Sequence, residues 1–125
     1  VSVRSGVHGE AELVVSEVDT AASLHCGDVA VLGTPRIVSL CEEASIDALA
    51  GQLTAEQTSV GSRVEIAHLT PVAVGSTVRA TATLERCEGR RLIFSVAVSD
   101  DCGLVAAGKI TRVVVDRSYF LHKAR

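Results

Sequence analysis

Thr34-Pro35-Arg36-Ile37-Val38-Ser39-Leu40-Cys41-Glu42-Glu43-Ala44-Ser45-Ile46-Asp47-Ala48-Leu49-Ala50-Gly51 is the stretch of this chain that reads most clearly as one helix. Thr is a favoured N-cap, because its hydroxyl accepts a free backbone N–H of the first turn. Pro35 then takes the first helical position, where its missing N–H costs nothing. No Gly or Pro interrupts Arg36–Ala50, and Gly51 stands where a helix stops. At about 100° per residue, Glu42 shares a face with Pro35, Val38, Ser45, Ile46 and Leu49. Glu43 points instead with Arg36, Ser39, Asp47 and Ala50, an ordinary solvated face. Glu42 therefore sits in an apolar stripe, where a carboxylate costs free energy unless it is paired or protonated. Burial there would raise its pKa toward the range of a general base. The plainer alternative is a Glu at the rim of the stripe that reaches water past Val38 and Ile46.

Working outward, a short strand fits Ala11–Val18, followed by an irregular stretch from Asp19 to Gly33. After Thr58 the apolar period changes from 3.6 to 2. Val64, Ile66 and His68 share one strand face, with Arg63, Glu65 and Ala67 on the other. Pro71 and Gly75 mark a break, after which Val78, Ala80, Ala82 and Leu84 alternate with polar neighbours. Glu88-Gly89-Arg90 predicts a turn into a strand with Leu92, Phe94, Val96 and Val98 on one face. Asp100-Asp101-Cys102-Gly103 predicts another turn, before a last strand over Leu104–Val115. Short connections imply an antiparallel sheet whose apolar face needs the helix as its cover. The expected class is α+β, a strand and one long helix followed by four more strands.

The length of 125 residues suits one domain, 1–125, with an ample core of its own. A 47% hydrophobic content and a mean hydropathy of +0.35 lie outside the disordered range. Net charge is −3 and the only aromatics are Phe94, Tyr119 and Phe120, which argues against nucleic acid as a partner. No apolar run has the length of a membrane span, and Val1–Gly6 has no signal-like stretch. Cys26, Cys41, Cys87 and Cys102 form no CxxC pair or Cys/His cluster, so no metal site is expected. They read as reduced, buried thiols of a cytoplasmic protein.

His68, in phase with Val64 and Ile66, projects from the face expected to be buried. A lone inward His is commonly a satisfied structural residue, and the N-cap role already accounts for Thr34. Gly61 within a strand marks a bulge or a close backbone approach. His8, His25 and His122 fall in loops or tails.

Taken together, these positions resemble the hotdog-fold acyl-CoA thioesterases, and within them the fluoroacetyl-CoA thioesterase-like family, from about Leu13 to about Lys123. The family has a Thr before its central helix, a Glu eight residues later, a Gly near the start of the next strand and a His seven residues beyond. Here they read Thr34, Glu42, Gly61 and His68. His68-Leu69-Thr70-Pro71-Val72-Ala73-Val74-Gly75-Ser76-Thr77-Val78 resembles the family's passage from His through a turn to the next strand, and Glu88-Gly89-Arg90-Arg91-Leu92 its following hairpin.

The resemblance implies a five- or six-stranded antiparallel sheet wrapped around the helix at Pro35–Ala50, and a homodimer with active sites at the subunit interface. It implies thioester hydrolysis without metal or cofactor, on an acyl-CoA substrate. Glu42 and His68 would orient and deprotonate water or assist a nucleophile, with Thr34 completing a catalytic trio. Backbone N–H groups near Gly61 or at a helix terminus would hold the oxyanion. Gly61 and Arg112 would contact substrate, and Arg79, Arg90, Arg91, Lys109 and Arg112 are the cations considered for the CoA phosphates. Two departures bear on the acyl group. Leu24–Leu32 has no aromatic where the fluoroacetyl-specific enzyme has aromatic lid residues, and Ile110 stands where a His is found. A different short- or medium-chain acyl group is therefore expected. The alternatives are a non-catalytic hotdog protein that binds acyl-CoA, and a hydratase or dehydratase, for which Asp28 lacks the needed His partner.

Overall fold

The computed structural model describes all residues from Val1 to Arg125. Five strands, β1 (His8–Val14), β2 (Gln57–His68), β3 (Thr77–Glu88), β4 (Arg91–Asp100) and β5 (Gly103–Asp116), form one sheet. Its spatial order is β1-β3-β4-β5-β2 and every pairing is antiparallel. The helix α1 (Thr34–Ala48) connects β1 to β2, and a short helix α2 (Arg117–Lys123) follows β5. The second helix was not expected: seven residues with Tyr119, Phe120 and Leu121 in a row carry no helical period.

The first strand lies three residues earlier than expected and ends at Val14, opposite Thr77 where β3 begins. Ser16 turns the chain away. Its amide and hydroxyl both donate to Asp19 Oδ2, closing a 3-10 turn at Glu17–Asp19. A Cβ on Gly9 would lie 2.3 Å from the Ala48 backbone nitrogen, so only glycine lets β1 approach the end of α1 this closely.

The core follows the alternation. Val78, Ala80, Ala82 and Leu84 of β3 and Leu92, Phe94, Val96 and Val98 of β4 are buried in one cluster with Ile37, Leu40, Cys41, Ala44 and Ala48 of α1. Each large aliphatic or aromatic side chain removed from water in this way contributes roughly 1.5–3 kcal/mol. The inner face of β2 departs from expectation, since Val64 is 41% exposed. The helix lies chiefly over β1 and β3, whereas β2 is the far edge, so its own chain leaves that face partly uncovered.

The cysteines also depart from the reading of four buried thiols. All are free, but Cys26, in the loop before α1, and Cys102, in the β4–β5 turn, are exposed. No helix is long and apolar enough to cross a membrane.

Candidate active site

Two polar clusters lie between α1 and β2, which run in opposite senses past each other. At one end, Thr34 Oγ1 is 2.8 Å from His68 Nδ1. His68 Nε2 is 3.0 Å from the carbonyl oxygen of Thr70. A carbonyl only accepts, so Nε2 carries the proton, and in the neutral ring Nδ1 is then the acceptor for the Thr34 hydroxyl. The expected N-cap role of Thr34 is not what the structure has. Gly33 is the N-cap residue, with no side-chain cap, and Thr34 is the first residue of α1. Its hydroxyl is thereby free for a partner 34 residues away.

The gap between the pair is set by a short backbone clasp. Leu32 N–H donates to the Val72 carbonyl at 2.8 Å, and Val31 bridges Ala73. The segment just before Thr34 is thus tied to the segment just after His68. The loop upstream closes on itself, with Thr20 bridging Leu32 and Ala21 N–H donating to the Val31 carbonyl. Asp19 anchors its base. Burial by itself would lift this carboxyl, but the Ser16 amide and hydroxyl and the Arg36 guanidinium outweigh it and hold its pKa below the ordinary value.

At the other end, Glu42 is not an unpartnered carboxylate in an apolar stripe. Its Oε1 lies 3.3 Å from Arg112 Nη1, and its side chain is 33% exposed against 6% for Arg112. Arg112 is fixed by Ser59, donating from Nε to Oγ and from Nη2 to the backbone oxygen, each at 2.9 Å. Desolvation lowers the pKa of the buried guanidinium, and the Glu42 charge opposes that shift. Gly61 pairs with Arg112 across the β2–β5 ladder, and a Cβ there would fall 2.1 Å from Glu42 Oε1. The carboxylate occupies the space that any other residue at 61 would fill. Next to it, burial and the Glu42 charge push the Cys41 thiol up to about 12, which rules out a thiolate nucleophile.

Glu42 and His68 share no hydrogen bond: each has its own partners. Two helical turns, about 12 Å along the axis, separate Thr34 from Glu42. The Glu42 carboxylate lies against Gly61 of β2 and Arg112 of β5. Ser59 and the Thr70 carbonyl were absent from the sequence reading, and no local motif marks either. Of the cations considered for phosphate, Arg79 pairs with Glu12, Arg90 with Asp116, Arg91 with Glu88 and Lys109 with Glu85, while Arg112 is buried against Glu42.

Comparison with known proteins gives this arrangement a context. Residues 15–118 match the family model described as FlK, fluoroacetyl-CoA-specific thioesterase. The fluoroacetyl-CoA thioesterase of Streptantibioticus cattleyicolor is 33% identical over 95 residues, which is 76% of this chain and 68% of the relative. The solved structure of the fluoroacetyl-CoA thioesterase FlK superposes with a TM-score of 0.91 at 28% identity, covering 98% of this chain and 96% of that one. A Thermus thermophilus hypothetical protein described as a thioesterase superfamily member gives 0.89 at 26% identity, covering 97% and 90%. The family match over residues 15–118 and the 33% identical relative show that the chain belongs to the fluoroacetyl-CoA-specific thioesterase family, with the hotdog fold.

Proposed function

We propose that the protein is a homodimeric hydrolase that splits short- or medium-chain acyl-CoA thioesters into the free acid and CoA, using Thr34, His68 and Glu42. The observation that carries this reading is the 2.8 Å contact of the Thr34 hydroxyl with a His68 ring whose other nitrogen is held by the Thr70 carbonyl. That tautomer aims a lone pair at the hydroxyl, the arrangement by which a base activates an oxygen nucleophile. Thr34 Oγ1 bonds to the thioester carbon as its proton passes to His68 Nδ1. The C–S bond breaks, and the departing thiolate takes that proton. Glu42, seated over Gly61 by Arg112, then draws one proton from the water that attacks the acyl-threonine carbon; as the C–Oγ1 bond breaks, Oγ1 takes the proton of the new carboxyl group through His68, and Glu42 gives its own to solvent.

The acyl preference follows the loop. Between Ala21 and Val31 there is no aromatic side chain, and Ala22–Ala30 is almost entirely exposed, so no bulky lid closes on a very small acyl group. The dimer is supported by β2, a twelve-residue edge strand with one unpaired side and a partly uncovered inner face.

The test is thiol release from acetyl- through decanoyl-CoA and phenylacetyl-CoA, with wild type beside Thr34→Ala and Glu42→Gln. Wild type turns over one substrate class and both variants lose about 100-fold or more in kcat. Intact-mass measurement of Glu42→Gln finds an acyl group retained on Thr34. Loss of activity without that adduct would mean direct attack by water. Because Thr34 is not the N-cap, Thr34→Ala melts within about 1 kcal/mol of wild type. Failure of wild type on every ester would favour a protein that only binds acyl-CoA.

A further inference from the structure

One buried carboxylate takes no part in the proposed reaction: Asp19, 6% exposed, in the turn that follows β1. Its Oδ2 accepts the Ser16 amide at 2.8 Å and the Ser16 hydroxyl at 3.0 Å. Its Oδ1 accepts Arg36 Nε at 3.2 Å, and its backbone carbonyl accepts the Gly33 N–H at 2.9 Å. Residues 33 and 36 stand on either side of Thr34. Asp19 therefore holds the chain just before the hydroxyl with its backbone, and the first turn of α1 just after it with its side chain.

The start of α1 needs such a hold from outside. Its N-cap is Gly33, which has no side chain to close the first turn, and that turn contains no acidic residue. Arg36 moreover puts a cation near the positive end of the helix dipole. Asp19 supplies the missing anion. Arg36 also reaches Glu43 at 2.7 Å, but the Glu43 side chain is half exposed and that of Asp19 is buried, so Asp19 is the fixed end of the network. The turn itself is tied to the entry of β3, where Val15 N–H donates to the Ser76 carbonyl at 2.9 Å and Gly75 N–H donates to the Val15 carbonyl at 2.8 Å. A continuous run of contacts thus leads from the sheet through Asp19 to both flanks of Thr34. The clasp of Leu32 on Val72 restrains only the chain ahead of Thr34. The link to Arg36 adds a restraint on how α1 is turned about its axis, and that rotation directs a side chain in its first turn.

We infer that Asp19 is a positioning residue for Thr34: by holding Gly33 and Arg36 at once, it sets the direction of the Thr34 hydroxyl toward His68 Nδ1. This rests on the reading of Thr34 as the nucleophile and adds the group that aims it. Losing that group is a matter of geometry, and a displacement of about 1 Å costs up to about 100-fold in rate. Asp19→Asn keeps the shape of the side chain and the backbone contact with Gly33. It removes the charge and turns an amide NH2 toward either Ser16 or Arg36, both of which are donors.

The experiment measures steady-state rates on the thioester that wild type turns over, well below the melting point, for Asp19→Asn alone and in the Thr34→Ala background. In Asp19→Asn, kcat falls about tenfold while KM stays within about twofold. Once the Thr34 hydroxyl is absent, the same substitution lowers the residual kcat no further. Arg36→Met, which cuts the link from the helix side and leaves the Ser16 turn intact, lowers kcat in the same direction. Glu12→Gln, which breaks the exposed pair with Arg79, leaves kcat as it is. An equal loss in both backgrounds would mean that Asp19 acts on the fold at large and overturns the proposal, as does an unchanged kcat. Nitrogen NMR of isotope-labelled imidazole separates this from the activity itself. The His68 Nδ1 resonance reports the hydroxyl it accepts from, and in Asp19→Asn it moves toward its position in Thr34→Ala. That movement supports the positioning role even if Thr34 proves not to be the nucleophile, and a resonance unmoved from wild type overturns it even if thioesters are hydrolysed.

Discussion

At residue 61 the Glu42 carboxylate and a side chain compete for one position, because a Cβ would sit 2.1 Å from Oε1. The backbone there is not in the left-handed region, so alanine is acceptable to the chain and only the flexible end of Glu42 must give way. Gly61→Ala is therefore expected to separate stability from activity. The midpoint of denaturation falls by no more than about 1–1.5 kcal/mol, while Glu42 leaves Arg112 and kcat drops by about 100-fold. Denaturant titration beside steady-state rates checks it, and a wild-type rate would mean that Glu42 does not need this seat. Thr34, Glu42, Gly61 and His68 stood out together in the sequence only through its resemblance to a family. Their contacts did not. A capping rule reads the residues beside Thr34 and cannot see His68, and a helical wheel finds Glu42 in a stripe without showing that Arg112 comes to meet it.

Elements show the same division. The alternation in β3 and β4 names a face, and the core is built on it. The alternation in β2 names a face too, yet which element covers it depends on where α1 comes to rest, and α1 rests over β1 and β3. The turn before α1 has a pH dependence that follows from Asp19. Its carboxyl is held below the ordinary value in the folded protein. That contribution to stability is complete above the unfolded value, about pH 3.9, and is lost as pH falls through the lower folded value. Wild type should therefore lose stability steeply below about pH 4, with the Ser16–Gly33 segment the first to become open to protease. Asp19→Asn should flatten that acid limb and lower stability at neutral pH. An acid limb of the same slope in the variant would assign it to other carboxylates.

On the scale of the whole molecule, the open side of β2 is the surface the fold leaves unfinished. An edge of this length with Val64 exposed offers both ladder hydrogen bonds and apolar area to a second copy. Val64→Lys is expected to turn a dimer into a folded monomer on sedimentation and to reduce activity with it. A monomeric wild type of full activity would remove the second copy from the site.

The clasp of Leu32 on Val72 and Val31 on Ala73 has a consequence for how such an enzyme diversifies. It holds Thr34 to His68 without drawing on the loop from Ala22 to Ala30, whose two ends are already joined at Thr20 and Leu32. On the proposed mechanism, reactivity and selectivity would lie on separate pieces of chain. The loop from Ala22 to Ala30 could then lengthen, shorten or exchange its side chains while the hydroxyl and the imidazole keep their spacing.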